Sequence, residues 1–199
     1  MANAQAASAT GRQYWTVPIL RAVVALVPAV VITFNANHSA EFGLLAFGSF
    51  ALLSGVLLVV LGPRTMPDRR DRTLFAVQGG VGVVAGVLAL VMHAGGLGFF
   101  LYLVSVWGAV TGFLELYSGV RVRGHAASAR DWMLVGGFTA VLALAFLLLP
   151  PHAVVSVGLL GAYLVMLGVY LVIAGLSLKW ATAPDTRHVA SAANDSDTQ

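Results

Sequence analysis

The sequence predicts an all-α, multi-pass membrane protein of six transmembrane helices, built as three repeated helical hairpins. Three observations carry that prediction. Hydrophobic residues make up 59% of the chain and charged residues only 10%, where soluble domains carry about 25% charged residues; the mean hydropathy is +0.88. The apolar residues fall into six runs, each close to the roughly 20 residues that cross about 30 Å of hydrocarbon as a helix. Small residues recur at one fixed interval in every second run.

The runs are 14–35, 41–62, 73–93, 97–119, 132–150 and 153–178. They give hairpins over 14–62, 73–119 and 132–178, with a polar N-terminus at 1–13 and a polar tail at 180–199. The first run follows MANAQAASATGRQ, which is weakly basic and leads to no small-residue cleavage site, so this span is expected to be retained rather than removed as a signal peptide. Pro18 and Pro28 are places where that first helix can loosen. The tail ATAPDTRHVASAANDSDTQ is small and polar, as in a disordered, solvated end or a contact arm.

Charge gives the orientation. Arg12 precedes the first span; Arg64, Arg69, Arg70 and Arg72 lie between the second and third; Arg121, Arg123 and Arg130 lie between the fourth and fifth; Lys179 and Arg187 follow the sixth. The opposite connections, around NANHSAE, MHAGGLG and PPHAV, carry no Lys or Arg. The positive-inside rule therefore places both termini in the cytoplasm. The lipid bilayer is the first partner, with anionic headgroups at the basic loops the second. The pI of 9.7 does not point to nucleic acid, because no basic surface is interleaved with aromatics. With no cysteine there are no disulfides and no thiolate chemistry.

The repeat is specific. Gly48, Gly55 and Gly62 in the second span correspond to Ser105, Gly112 and Gly119 in the fourth and to Gly161, Gly168 and Gly175 in the sixth, at steps of 57 and 56 residues. In the odd spans Arg21 and Pro28 correspond to Gly79 and Gly86, then to Gly136 and Ala143. Seven residues is close to two helical turns, so each glycine set makes a stripe on one face. Such stripes let helix backbones pack closely in a bilayer, and packing is preferred here over a pore lining. Gly82 with Gly86, and Gly108 with Gly112, add GxxxG contacts.

WGAVTGFLELYSGVRVRG (107–124) and the stretch from Asp131 to Lys179 resemble the repeat of the HdeD family of bacterial acid-resistance membrane proteins. The likeness rests on Trp107, Gly112, Glu115, Arg121 and Arg123, then on Trp132, Gly137, Pro150, Gly161 and Gly168. LRAVVALVPAVV is similar to the family's first helix, although Ala22 stands where a glycine usually follows the arginine and Pro28 replaces a common glycine. The resemblance implies a six-helix inner-membrane protein linked to acid or envelope stress, with no molecular activity attached.

Arg21 is the one basic residue inside a span, and Glu115 the one acidic residue in a span interior. An intramembrane arginine costs about 2.5–3.5 kcal/mol on insertion scales, so it needs a partner. At about 1.5 Å per residue, Arg21, Glu115 and Gln78 lie at the same depth, roughly 9–10 Å from the basic side. A buried cluster of the three, with a bidentate Arg21–Glu115 pair, is expected. It reads either as a proton or substrate site, or as a clamp between the first and second hairpins; snorkelling of Arg21 to the headgroups is the third option.

Each connection on the other side carries one histidine: His38, His93 and His152. They are candidates for sensing external acid, and a pseudo-threefold arrangement would bring them together; an ordinary interfacial role inherited through the repeat is the simpler reading. No metal is expected, and Glu41 can pair with one of the three. HExxH, HxxxH and GxSxG are absent, and His125 and Asp131 are one residue too far apart for the acyltransferase HxxxxD. The chain therefore reads as non-enzymatic and without a cofactor, with a small transporter or channel, or an accessory scaffold subunit, as alternatives. Tyr14, Trp15, Trp132 and Trp180 stand at span ends as an aromatic belt, and Trp107 fills space mid-span.

Overall fold

The computed structural model describes residues 15–65, 69–121 and 129–181; residues 1–13 and most of the 180–199 tail, with Tyr14, Arg123, His125 and Arg187, lie outside the described residues. Six helices follow in order: α1 (Thr16–Phe34), α2 (Ala40–Thr65), α3 (Arg69–Val91), α4 (Gly96–Arg121), α5 (Ala129–Leu148) and α6 (Ala153–Ala181). All six are long and apolar enough to cross a membrane. Several outrun the apolar runs at the basic end: α2 continues to Thr65 and α6 takes in Lys179. Hydropathy marks only hydrocarbon, whereas a helix continues until its backbone finds another partner.

Polarity is distributed in the reverse of a soluble protein. The exposed surface is lined by Val23, Val27, Val84, Phe113, Val141 and Ile173, whereas Ser54, Gln78, Thr111, Glu115 and Thr139 are buried. An apolar exterior this extensive is the surface that hydrocarbon covers. The protein is an all-α, multi-pass membrane protein.

Local chemistry sets several of the helix ends. Pro18 sits in the first turn of α1, where a missing N–H costs nothing. Pro28 lies inside α1 and removes one backbone bond there. After α1, the Asn35 side chain accepts from the Asn37 N–H at 2.8 Å and Asn37 accepts from Ser39 at 3.0 Å. Ser39 Oγ then accepts from Phe42 at 3.2 Å, which caps the start of α2. Gly96 opens α4 with φ +77, a left-handed turn that favours glycine.

Packing does not follow the hairpins. The extensive interfaces are α2 with α3, α4 with α5, and α6 with α1, whereas the two helices of each hairpin touch much less. The repeat unit of the sequence and the packing unit of the fold are offset by one helix, and the pairing of α6 with α1 closes the ring.

The glycine stripes explain the offset. A Cβ on Gly55 would lie 2.6 Å from the Gly79 carbonyl oxygen and the Val83 nitrogen; one on Gly112 would lie 2.9 Å from the Ala140 nitrogen. Gly48 meets Leu90 and Ala89, and Gly62 meets Phe75. On α6, Gly161, Gly168 and Gly175 face Ile32, Leu26 and Ile19 of α1. The first two interfaces are backbone against backbone, as small residues on both helices allow; the third sets large α1 side chains into glycine notches. Gly119 is buried on the same helix as Gly112. The stripes thus face neighbouring helices and leave another face of α2, α4 and α6 for the centre.

Candidate functional site

That other face is built in layers. Phe47, Phe50, Ser54 and Leu58 follow one another on α2 at spacings of three and four, so they lie on one side of the helix. The repeat steps of 57 and 56 carry them to Val104, Trp107, Thr111 and Glu115 on α4, and to Leu160, Tyr163, Leu167 and Leu171 on α6. All twelve are buried. Equivalent positions of the three repeats therefore meet around one axis, and a single carboxylate, Glu115, occupies a layer whose other two members, Leu58 and Leu171, are leucines.

Glu115 is held from two sides. Arg21 Nη2 on α1 donates to Glu115 Oε1 at 3.2 Å, and Gln78 Nε2 on α3 donates to the same oxygen at 2.6 Å. The side chains of Arg21 and Glu115 are 13% and 7% exposed, so the arginine stays with the carboxylate rather than reaching for the headgroups. The expected bidentate geometry is not what forms. Gln78 occupies Oε1 closely, the guanidinium meets that oxygen through one nitrogen, and neither Glu115 Oε2 nor Arg21 Nε has a hydrogen-bond partner among the described residues. The cluster also does more than join two hairpins: α1, α3 and α4 belong to three different packing pairs, so it contributes one residue from each.

Two cavities meet at this cluster. The outer one, about 40 Å³, is lined by all six helices near their basic ends, from Val17, Gly62 and Phe75 to Ser118, Asp131 and Leu178. The inner one, about 20 Å³, lies between the cluster and the middle of the bundle, against Ser54, Trp107, Thr111, Thr139 and Tyr163. Arg21, Leu58, Gln78 and Glu115 line both. Trp132 turns inward over the outer cavity, its ring 5.1 Å from that of Phe75, rather than joining a belt at the surface. Trp180 is exposed, and Trp15 lies 5.1 Å beneath Lys179 Nζ, a cation–π contact between the two ends of the ring.

Beyond the inner cavity the axis is aromatic. Trp107 packs edge-on against Phe47, Phe50 and Tyr163 at 5.3, 5.8 and 6.5 Å; Phe100 and Phe146 follow at 5.5 Å. Trp107 fills space, and its Nε1 is also buried without a hydrogen-bond partner among the described residues. Tyr163 and Thr139 share a hydrogen bond of 2.9 Å, and Thr139 donates to the Val135 carbonyl at 2.9 Å. Sequence reasoning missed both residues, although the repeat step places Tyr163 in the layer of Trp107. Replacing Thr139 by valine keeps its shape and removes the bond; the expected cost is about 0.6 kcal/mol, up to roughly 1.7, read by unfolding in detergent.

At the opposite end the three histidines serve separate local contacts. His93 lies 3.7 Å from Glu41 and 3.0 Å from the Leu90 carbonyl, and His38 reaches the Ala36 carbonyl at 3.4 Å. His152 is exposed, and its carbonyl accepts from Ser156. Among the described residues, no three or more of His, Asp and Glu come together in a group that would hold a metal. Asp131 accepts a bond from Tyr170 at 2.5 Å, tying α5 to α6 beside the outer cavity.

Residues 77–149 match the model of a family described as a short repeat of unknown function (DUF308). That segment includes Gln78, Glu115 and the glycine interface of α4 with α5, and leaves Arg21 outside. No curated protein and no solved structure matches the chain. What is established is an integral membrane protein with six membrane-spanning helices among its described residues, of which residues 77–149 match this short repeat.

Proposed function

We propose that the protein is a non-enzymatic, HdeD-like protein of the bacterial inner membrane, with both termini cytoplasmic, that acts in tolerance of acid or envelope stress. The observation that carries this reading is the buried carboxylate of Glu115, held by Arg21 and Gln78 at the end of a cavity lined by all six helices. Burying a charged pair in a bilayer is costly, and such residues usually mark function. The match of residues 77–149 to the short repeat supports the HdeD-like part, and the connections rich in arginine support the orientation.

A continuous pore fits less well, because the aromatic layers around Trp107 close the axis on the side away from the basic end. The test is survival at low external pH of a strain lacking the protein, complemented with the wild type or with Glu115→Gln. The expected result is a survival defect that the wild type reverses and the variant does not. A deletion strain that survives acid as well as its parent would remove the stress assignment.

A further inference from the structure

We infer that Glu115 is a proton-binding site that water reaches from the basic end of the bundle alone. Three polar atoms on residues that line the inner cavity have no hydrogen-bond partner among the described residues: Glu115 Oε2, Arg21 Nε and Trp107 Nε1. Glu115 and Trp107 are only 6% and 7% exposed, and Trp107, Arg21 and Glu115 all line the inner cavity. Two donors and one acceptor around a space of about 20 Å³ fit one water molecule, which needs roughly 10–15 Å³ and two to four polar partners. The space is too small for an organic solute. The outer cavity, about 40 Å³, extends the path past Ser118 to Asp131 near the basic end.

The other direction is shut. Past the inner cavity the axis is filled by Trp107, Phe47, Phe50, Phe100 and Phe146, with ring contacts of 5.3–5.8 Å. The groups facing Glu115 set the chemistry: Arg21 from α1, only Ser54 from α2, Gln78 from α3, Thr139 with Asp131 near the entrance from α5, and Tyr163 from α6. In the step itself a hydronium ion in the outer cavity gives its proton to Oε2. One O–H bond breaks on the hydronium, one forms on the carboxyl, and a water remains. Arg21 keeps its charge, so the cluster passes from neutral to singly positive and returns when the proton leaves by the same route. Such a site reads the pH on one side of the membrane without passing protons across it. This inference stands apart from the stress role, since it concerns the purified protein.

The absence of natural cysteines makes the test direct. Ser118→Cys, with Ala174→Cys as a second variant on the outer cavity and Val84→Cys as a control facing lipid, is placed in oriented proteoliposomes and exposed to silver ion from either side. Silver from the basic end is expected to block Ser118→Cys or Ala174→Cys at least about tenfold faster than it blocks Val84→Cys, and about tenfold faster than silver from the histidine end. A pH-jump infrared difference spectrum is expected to show a protonated carboxyl band that Glu115→Gln abolishes, in samples that elute like the wild type. Rates no faster than the control, rates equal from the two sides, or a spectrum unchanged by Glu115→Gln would each overturn the inference. Silver access together with normal acid survival of the deletion strain would leave this site standing and remove only the stress assignment.

Discussion

Alanine at Gly79 disrupts the pairing of α2 with α3, while alanine at the adjoining Gly80 leaves the protein as stable as the wild type or slightly more so. The added methyl is identical, and only its direction differs. At Gly79 it would lie 2.7 Å from the Gly55 carbonyl oxygen and 3.0 Å from the Val59 nitrogen, groups of backbone that cannot turn away. At Gly80 nothing lies within 4 Å, and alanine gains up to about 1 kcal/mol of helix propensity over glycine. Overpacking of this kind costs roughly 1–3 kcal/mol, and more where backbone must move. The same contrast is expected between Gly136, whose methyl would lie 2.7 Å from the Leu116 nitrogen, and Gly137, which has open space. Thermal unfolding in detergent, read by loss of the folded elution peak, measures it. Equal effects at the two members of either pair would show that the interfaces are not set by close backbone contact.

The second large effect concerns the buried ion pair. Glu115→Leu alone is expected to cost about 3–5 kcal/mol, because Arg21 then remains as an uncompensated charge. Arg21→Met alone does the same to Glu115. The double variant is expected to cost less than either single one, since Leu58 and Leu171 already fill the equivalent positions of the other repeats with leucine. It does not return fully to wild type, because Gln78 has lost its acceptor, a loss of about 1–3 kcal/mol. A double-mutant cycle on unfolding free energy reads the coupling. Strict additivity of the two single effects would mean that the 3.2 Å contact contributes nothing to stability.

Much of this architecture can be read from the sequence because the bilayer constrains it so strongly. A span must be long and apolar, which makes six helices visible in hydropathy, and a charge inside one needs a partner at its own depth, which brings Arg21, Gln78 and Glu115 onto one level. Depth does not determine which oxygen receives which donor, and the competition of Gln78 for Oε1 decided that. The pairing of helices was also hidden. A glycine stripe shows that a close neighbour exists without naming it, and the short connections of the hairpins point to the wrong one. Tyr163 and Thr139 were missed for a related reason: a tyrosine in an apolar run looks like filler until the repeat step is applied to Trp107.

Ring closure between α6 and α1 has a consequence for how the molecule is made. The first helix enters the membrane with Arg21 at a time when Glu115, 94 residues further on, has not been synthesised. Its extensive partner, α6, is the last of the six described helices to arrive. Until α6 emerges, α1 therefore has only the limited surface of α2 to rest against, and until α4 emerges its cation has no counterion. Assembly becomes committed only once α6 is made: a chain that stops after α5 has two good interfaces, an orphaned first helix and an open seam.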